Sequence, residues 1–484
     1  MKSFQKLICA LPLVFFLLIG NQVFAQLKTV QVKEGKLEGN IDGKVSVFKG
    51  IPYAAPPVGE LRWKAPQPAI KWEGVRKTGG YAPGSLQRST PFQGSSAGYS
   101  EDCLYLNVWT PAKSSNEKLP VMVWIPGGGF VTGTSAIAGE NMAEMGVVMV
   151  SIAYRLGVLG FMAHPELTAE SKNKVSGNYG MLDQIAALKW IQDNIKAFGG
   201  DPNNVTIFGE SSGGASVSIL CASPLANCLF SRAISESGTS FGTVGKNGIK
   251  NLKLGEEIGI EFAKKMGCSS IEELRETDPQ KWVSDPFTYM DGNFAPIVDG
   301  YVITDDQYKL YQKGEYNDIS VIIGTNSDEG GLFTSFIGVP EDASDYYKTL
   351  QTNYGTFADR VLELYPGNDK AQIKFSMADI QRDRDYAWGA WAWARLQKET
   401  GNSNVFLYYF DQQQEANSMF SMFNASPPRG AWHGDEIAYI FRTLDPEKKS
   451  EADLVLSKQM AQYWVNFAKT GNPNGDKLPY WPVF

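Results

Sequence analysis

Residues 205–220 read VTIFGESSGGASVSIL, and this segment carries the strongest structural signal in the chain. An apolar run leads into a serine between glycines, Gly209-Glu210-Ser211-Ser212-Gly213, and small and apolar residues of helical type follow it. That order predicts a strand, a sharp turn and a helix, with Ser211 at the turn. The glycines remove the Cβ atoms that would clash in such a turn, so the serine hydroxyl is exposed. Ser211 is therefore the candidate nucleophile for attack on a carbonyl carbon.

The same G-x-S-x-G pattern occurs a second time, in residues 94–98. This match lies in the serine- and glycine-rich stretch STPFQGSSAGYS, with no strand signal before it and no helix signal after it. Such composition is typical of a loop, which cannot hold a nucleophile in place. Ser96 is interpreted as a loop residue.

The general base is to be found among two histidines, His164 and His433, the only ones in the chain. A serine on a strand-turn-helix of this kind belongs to a triad that runs Ser, then Asp or Glu, then His along the chain. Only His433 follows Ser211. His164 precedes a proline and is interpreted as a polar residue at the end of an element.

The acid of the triad is expected between the serine and the base. ISVIIGTNSDEGGLF, residues 319–333, predicts a buried parallel strand that ends in a polar turn. Loops at the carboxyl ends of parallel strands carry the chemistry of such sheets, and this one offers Asp328 and Glu329. The pattern does not choose between these neighbours. Asp299, in APIVDG, is a further candidate, although an Asx-type turn is the favoured interpretation there.

An oxyanion hole is indicated by PVMVWIP, residues 120–126, which predicts a buried strand and leads into Gly127-Gly128-Gly129-Phe130. Backbone N–H groups without neighbouring side chains can approach a developing oxyanion, together with the N–H of the residue after the nucleophile, Ser212. A phosphate-binding loop is the alternative. It fits poorly, because no Lys-Ser or Lys-Thr follows and Thr132 stands where G-x-G-x-x-G needs its third glycine.

With these parts placed, the chain resembles the type-B carboxylesterases, the α/β-hydrolase family that includes bacterial carboxylesterases and the cholinesterases. The resemblance runs along nearly the whole chain, in the motifs FKGIPYAAPPVGELRW (48–63), SEDCLYLNVWTP (100–111), PGGGF (126–130), AYRLGVLGF (153–161), GNYGMLDQIAALKWIQDNI (177–195), GESSGG (209–214), GTNSDEG (324–330), HGDEI (433–437) and YWVNFAKTGNPN (463–474). It implies the α/β-hydrolase fold, with a mostly parallel central sheet, helices on both faces and large insertions.

The resemblance also assigns roles to particular residues. It implies Ser211 as nucleophile, His433 as base and Glu329, rather than Asp328, as acid. Further implied residues support this triad: the oxyanion donors Gly128, Gly129 and Ser212, the neighbouring side chains Glu210 and Ser237, and two ion pairs, Arg155 with Asp183 and Arg62 with Glu101.

The implied activity is hydrolysis of a small-molecule carboxylic ester through an acyl-enzyme, with no cofactor. One alternative is a non-catalytic adhesion or binding protein on the same fold, which is disfavoured because all three triad residues are present. A second alternative is a hydrolase of amides, lactams or thioesters. The sequence does not indicate which ester is the substrate.

Residues 1–25 have the features of a secretory signal peptide: Lys2 and Lys6, an apolar run over residues 7–20, and Val23-Phe24-Ala25 as a cleavage site. They predict export to the periplasm or the cell exterior, with residues 26–484 forming one α/β-hydrolase domain. The apolar run is too short for a membrane span and no lipobox is present, so no stable membrane anchor is expected.

The composition excludes several other classes of function. Acidic residues outnumber basic ones, 52 to 45, which disfavours nucleic-acid binding. With two histidines and no clustered thiols, we expect no zinc site and no other metal. Cys103 is expected to be unpaired, and a Cys221–Cys228 bridge is possible but disfavoured. The oligomeric state stays open.

The order of the remaining apolar segments predicts a mostly parallel sheet covered on both faces. Predicted strands cover residues 120–126, 147–153, 205–208, 319–323 and 404–409, and predicted helices cover 182–198, 213–222 and 451–469. Insertions interrupt them at 240–320 and 335–400. The second insertion contains Trp388, Trp391 and Trp393, for which packing in a helix core is preferred over lining a substrate pocket.

Overall fold

The computed structural model describes residues 26–88, 97–242, 249–289, 292–334, 338–413 and 429–484. Its strands are β1 Thr29–Val32, β2 Gly35–Glu38, β3 Asn40–Asp42, β4 Val45–Pro52, β5 Val75–Lys77, β6 Gly84–Ser85, β7 Tyr99–Ser100, β8 Tyr105–Thr110, β9 Leu119–Ile125, β10 Val148–Ile152, β11 Gly200–Glu210, β12 Arg232–Glu236, β13 Lys250–Asn251, β14 Ile297–Val298, β15 Ser320–Asn326 and β16 Val405–Phe410. The signal-like segment 1–25 and Ser96 lie outside the described residues.

The helices are α1 Glu140–Ala143, α2 Gly157–Phe161, α3 Pro165–Glu170, α4 Tyr179–Asn194, α5 Ser212–Ala222, α6 Leu252–Lys265, α7 Ile271–Glu276, α8 Gln280–Val283, α9 Pro286–Tyr289, α10 Gln307–Lys313, α11 Glu329–Phe333, α12 Ala343–Tyr354, α13 Ala358–Leu364, α14 Lys370–Arg382, α15 Trp388–Thr400, α16 Asp435–Ile440 and α17 Glu451–Thr470. A π-helical turn, Asp383–Ala387, joins α14 to α15. Within the described ranges, no helix is long and apolar enough to cross a membrane.

The largest sheet has the strand order β16-β15-β12-β11-β9-β10-β8-β4-β3. The strands from β16 to β10 pair in parallel, and β8, β4 and β3 complete one edge with antiparallel pairing. This architecture confirms the predicted α/β-hydrolase fold. Strand β12, which lies between β11 and β15, was not predicted from the sequence.

Both faces of the sheet are buried, which explains why its strands are apolar without alternation. In β9, Val121, Val123 and Ile125 belong to one core cluster, and Met122 and Trp124 belong to a second cluster on the other face. Residues of α4 and α5 complete the first cluster, and residues of α17 complete the second. The sheet therefore holds its strand ends between two packed layers.

The insertions fold into helices. The prediction that Trp388, Trp391 and Trp393 pack in a helix core is correct only in part. Trp393 is fully buried in α15, as helix core packing requires, whereas Trp388 and Trp391 are 44% and 50% exposed. All three residues lie within α15, where 3.6 residues per turn place Trp388 and Trp391 roughly 60° apart and Trp393 roughly 140° from Trp388. The three indole rings therefore do not share one buried face.

Other sequence-based interpretations are confirmed by contacts. Asp299 Oδ1 accepts hydrogen bonds from the N–H groups of residues 301, 302 and 303, as in an Asx-type turn. His164 caps α3, with Nδ1 accepting from Glu166 N at 3.2 Å. Each cysteine in the described ranges is free, so Cys103 is unpaired and no Cys221–Cys228 bridge forms.

Both ion pairs implied by the resemblance are present. Arg155 binds Asp183 in a bidentate manner, with Nε–Oδ2 and Nη2–Oδ1 distances of 2.8 and 2.7 Å, and the side chains are 3% and 0% exposed. Arg62 binds Glu101 with two hydrogen bonds of 2.6 and 2.7 Å, where the side chains are 7% and 14% exposed.

Candidate active site

Ser211 occupies the turn between β11 and α5, as the glycine pattern predicted. Its backbone has φ 58° and ψ −126°, a strained conformation for a residue with a side chain. The turn is held by hydrogen bonds from Ser211 N to Glu236 O and from Ala215 N to Ser211 O, at 2.9 and 2.8 Å. A Cβ atom at Gly213 would collide with the carbonyl oxygen of Ile125 in β9. A glycine at this position is therefore required for the start of α5 to approach β9.

Glu329 and His433 lie in direct contact beside this turn. The Oε2 atom of Glu329 is 2.6 Å from Nδ1 of His433, and Glu329 is fully buried at the start of α11. Its Oε1 accepts a hydrogen bond of 2.7 Å from Asn326 N, which fixes the carboxylate. Asp328 instead accepts from the backbone N–H of Arg429 at 3.0 Å. Of the two adjacent carboxylates, Glu329 is the one in contact with the imidazole.

The second imidazole nitrogen faces the end of β11. Nε2 of His433 lies 3.1 Å from Oε1 of Glu210, the residue directly before Ser211. The two atoms are close without the alignment of a hydrogen bond, and neither has another hydrogen-bond partner among the described residues. This contact brings the Glu329–His433 pair to the last residue of β11, directly before Ser211.

The glycine-rich loop after β9 lies against the nucleophile turn. A Cβ atom at Gly127 would be 3.1 Å from Ser211 Cβ, and Phe130 N donates to Ser212 Oγ at 3.2 Å. In the described part of the chain, the N–H groups of Gly128, Gly129 and Ser212 donate to no protein acceptor. They are therefore available to a ligand oxygen.

Ser237 lies one layer further from the imidazole than the residues above. Its Oγ is 3.5 Å from Oε1 of Glu436, and its backbone N donates to Gly324 O at 2.9 Å. Glu436 is fully buried, and its Oε2 accepts a 2.5 Å hydrogen bond from Asn326 Nδ2. Asn326 thus binds both Glu329 and Glu436, so Ser237 reaches the triad candidates through this network.

Two buried glutamates of the site were not identified in the sequence. Glu436 is three residues after His433, in the first turn of α16, and Glu236 ends β12. Glu236 Oε1 accepts from Trp464 Nε1 of α17 at 2.6 Å. Acidic residues inside HGDEI and at the end of the apolar run of β12 were the available signal, but their partners lie far away along the chain.

The acidic surroundings alter the pKa values of the site. Burial lowers the pKa of His433, but the negative charges of Glu210 and Glu329 outweigh it and raise the value to about 9. Burial raises the pKa of Glu210 to about 7 and that of Glu236 to about 8. Burial and the neighbouring glutamates hold the pKa of Glu436 well above its usual range. The group around His433 therefore titrates together rather than residue by residue.

Two aromatic rings shield the imidazole. The ring centroids of Phe333 and Tyr386 lie 5.2 and 4.7 Å from that of His433. Tyr386 belongs to the π-helical turn Asp383–Ala387, which places its ring over the site. Among the described residues, no group of three or more His, Cys, Asp or Glu side chains could hold a metal ion.

Comparison with known proteins identifies the family of the chain. The carboxylesterase family model matches residues 26–484. The chain is 36% identical over 469 residues to the fumonisin B1 esterase of Sphingopyxis macrogoltabida, with 93% of this chain and 84% of that protein covered. It is 34% identical to the cholinesterase of Mus musculus, with 94% of this chain and 81% of that protein covered.

Among solved structures, a PNB esterase is similar along almost its whole length. The TM-score is 0.79 at 33% sequence identity, and the match covers 94% of this chain and 93% of that chain. The family match, the named esterase relatives and the shared architecture lead to the same assignment. The chain belongs to the carboxylesterase family and is a carboxylesterase with the α/β-hydrolase fold.

Proposed function

We propose that the chain is an exported serine carboxylesterase in which Ser211 is the nucleophile, His433 the base and Glu329 the acid. The observation that carries the proposal is the 2.6 Å contact between Glu329 and His433 beside the strained turn of Ser211. A nucleophile, a base and a group that orients the base are the parts required for acyl transfer through a serine.

In the first step, neutral His433 takes the proton of Ser211 as the hydroxyl oxygen attacks the ester carbonyl carbon. Glu329 accepts the hydrogen bond from Nδ1–H, which leaves Nε2 as the basic nitrogen and stabilises the imidazolium that forms. Glu210 adds a second negative charge 3.1 Å from Nε2. The positive charge that develops on the ring is therefore favoured at this site.

The carbonyl oxygen becomes an oxyanion, which the N–H groups of Gly128, Gly129 and Ser212 stabilise. These donors have no described protein acceptor, so the free energy of the new hydrogen bonds is gained at the reaction step. The alcohol leaves with the proton from His433. Water, deprotonated by the same imidazole, then attacks the acyl-enzyme, and the acid is released as Ser211 regains its proton.

Supporting residues hold this arrangement in place. Glu210 positions the imidazole from the side of the nucleophile, and Ser237 acts through Glu436 and Asn326. Residues 1–25 direct export and are removed, which leaves residues 26–484 as the enzyme. N-terminal sequencing of the protein recovered from the periplasm or the medium tests this part, with Gln26 as the expected first residue.

The substrate is a small-molecule carboxylic ester. A thioester is the second candidate, because one relative at 35% identity is named a medium-chain fatty acyl-CoA hydrolase, from Anas platyrhynchos. Matched oxygen esters and thioesters of the same acyl chain separate the two bond types. A non-catalytic binding protein would hydrolyse neither of them.

Replacing the nucleophile is the direct test. Ser211→Ala is expected to lower kcat by roughly 10⁵- to 10⁶-fold, because only binding and the oxyanion donors remain. The matched control is Ser96→Ala, at the other G-x-S-x-G match. Both variants are assayed with nitrophenyl esters of increasing acyl length and labelled with a fluorophosphonate probe. Labelling that persists in Ser211→Ala would refute the assignment.

A further inference from the structure

A cavity of about 220 Å³ lies against the glycine-rich loop. Val131 and Thr132 of this loop form one wall, Gln87 and Arg88 form a second, and Tyr289 at the end of α9 closes a third. A volume of this size accommodates a small organic group rather than a single water molecule.

Two residues that line the cavity are hydrogen-bonded to the loop that carries the proposed oxyanion donors. The backbone N and the Oγ1 of Thr132 both donate to Gly128 O at 3.0 Å. The amide of Gln87 binds the backbone of Gly133 in both directions, at 2.7 and 2.9 Å. The loop that carries the proposed oxyanion donors Gly128 and Gly129 therefore also forms part of the cavity wall, at Val131 and Thr132.

Arg88 gives the cavity a positive charge, since the other described lining residues are uncharged. Its guanidinium lies over the ring of Tyr289, 5.0 Å from the centroid, which holds the cation at the wall. No carboxylate in the described part of the chain forms an ion pair with it. The five donors of the guanidinium are thus free to bind an oxyanion from a ligand.

We propose that the substrate is an ester that carries a second, free carboxylate, and that Arg88 binds this carboxylate in the cavity. The inference rests on the proposed function and adds the class of substrate. A planar guanidinium matches a carboxylate with two parallel hydrogen bonds, and stacking on Tyr289 fixes its orientation before the substrate arrives.

The position of the other charges supports an anionic group at this wall. The carboxyl groups of the site, Glu210, Glu236, Glu329 and Glu436, are buried around His433 and Asn326, whereas the cavity is lined by the opposite charge. A substrate carboxylate placed at Arg88 gains attraction, and a neutral substituent in the same place gains none.

The test compares paired substrates on three proteins: wild type, Arg88→Gln and Arg88→Lys. The acyl-side pair is the 4-nitrophenyl hemiester of succinic acid and 4-nitrophenyl butyrate, and the alcohol-side pair is 3-acetoxybenzoate and phenyl acetate. In Arg88→Gln, kcat/KM for the charged member of at least one pair is expected to fall roughly 10- to 100-fold, the range for a charged hydrogen bond. The neutral members should change less than about twofold.

The substrate pair that responds to Arg88→Gln shows whether the acyl side or the alcohol side of the ester bears the carboxylate. Arg88→Lys should retain part of the preference, since it keeps the charge and loses the bidentate geometry. Arg76→Gln is the matched control, because Arg76 also stacks on an aromatic ring, Trp72, but does not line the cavity. It should alter neither pair.

Two results would overturn the proposal. An unchanged ratio of charged to neutral substrate in Arg88→Gln would show that Arg88 does not bind the carboxylate. An equal loss on both members would show that Arg88 supports the fold or the reaction in general. Failure of the proposed function is distinguishable, because wild type would then hydrolyse none of the four esters.

Discussion

Two buried charged sites lie near the carboxyl ends of strands in the central sheet, and they are built in opposite ways. Arg155 follows β10 and meets Asp183, one cation against one anion, with both side chains almost fully buried. His433 meets Glu210 and Glu329, and Glu236 and Glu436 are buried close by. The first site is balanced in charge and the second has an excess of acid.

This difference separates a site that stabilises the fold from a site that can exchange protons. At the balanced site, the charge of Asp183 outweighs the effect of burial and raises the pKa of Arg155, so the guanidinium stays protonated at all ordinary pH values. At the acidic site, burial raises the pKa of Glu210 to about 7 and that of Glu236 to about 8, and the charges of Glu210 and Glu329 raise that of His433 to about 9. Such groups can exchange protons during a reaction near neutral pH. Four substitutions test the contrast.

The largest effect is expected at the acidic site, from Glu329→Gln. The amide keeps the volume, but it removes the charge that stabilises the imidazolium and selects the tautomer of His433. We expect kcat to fall about 10⁴-fold. Steady-state kinetics measures the loss, and a circular dichroism melt checks that the variant is folded. A fall of less than about tenfold would contradict the role of Glu329.

The balanced site should respond in stability instead. Arg155→Ala strands the fully buried charge of Asp183 and is expected to cost about 3–5 kcal/mol of the free energy of unfolding. Arg62→Ala is the matched control, because its partner Glu101 is 14% exposed and can regain contact with water. Denaturant titration of both variants measures the difference. An Arg155→Ala midpoint equal to that of wild type would show that the charge is not stranded.

A smaller change is expected in the pH profile of Glu210→Gln. Catalysis needs neutral His433, so kcat/KM rises with pH through the apparent pKa of the His433 and Glu210 pair. Removing the charge of Glu210 lowers the pKa of His433, and the rising limb should move to lower pH by about 1.

His164→Gln is the control for this profile. His164 caps α3 through Glu166 and does not contact the site residues, so the profile should be unchanged. From the sequence alone, burial and one carboxylate predicted an apparent pKa of about 6 to 7.5. The second carboxylate, Glu210, explains the value of about 9 for His433 in the structure. A limb that stays in place in Glu210→Gln would contradict this explanation.

The smallest effect is expected from Glu236→Gln. Burial raises the pKa of Glu236 from 4.5 to about 8, so the folded protein binds a proton that the unfolded chain releases. Stability should therefore fall as pH rises from about 4.5 to 8. Glutamine cannot titrate and still accepts a hydrogen bond from Trp464. The melting temperature of the variant relative to that of wild type should therefore be roughly 1–3 °C higher at pH 8 than at pH 5. Glu363→Gln, at an exposed position, should show no such gain.

The sequence predicted those parts of the fold that short-range signals encode. The turn at Ser211 follows from adjacent glycines, and the apolar runs of β9 and β15 follow from burial on both faces. Strand β12 was missed because its five residues, RAISE, begin and end with charged side chains. Periodicity is weak in a segment of that length.

The site was predictable to the extent that its residues act locally. Residue patterns left Asp328 and Glu329 equivalent, because the choice depends on which carboxylate faces a histidine more than 100 positions later. The bond from Trp464 to Glu236 spans 228 positions, so nothing near Glu236 indicates it. Long-range packing of this kind has no signature in one sequence.

The glycines around Ser211 have a consequence for the folding of the enzyme. A Cβ atom at Gly213 would collide with the carbonyl of Ile125 in β9, and a Cβ atom at Gly238, just after β12, would collide with the carbonyl of Ser211 itself. The reactive conformation thus depends on three strands that are aligned in the correct register. A chain in which one strand has slipped out of register has no preorganised Ser211 hydroxyl. Esterase activity therefore reports correct assembly of the sheet, and it measures the fraction of chains that have refolded correctly.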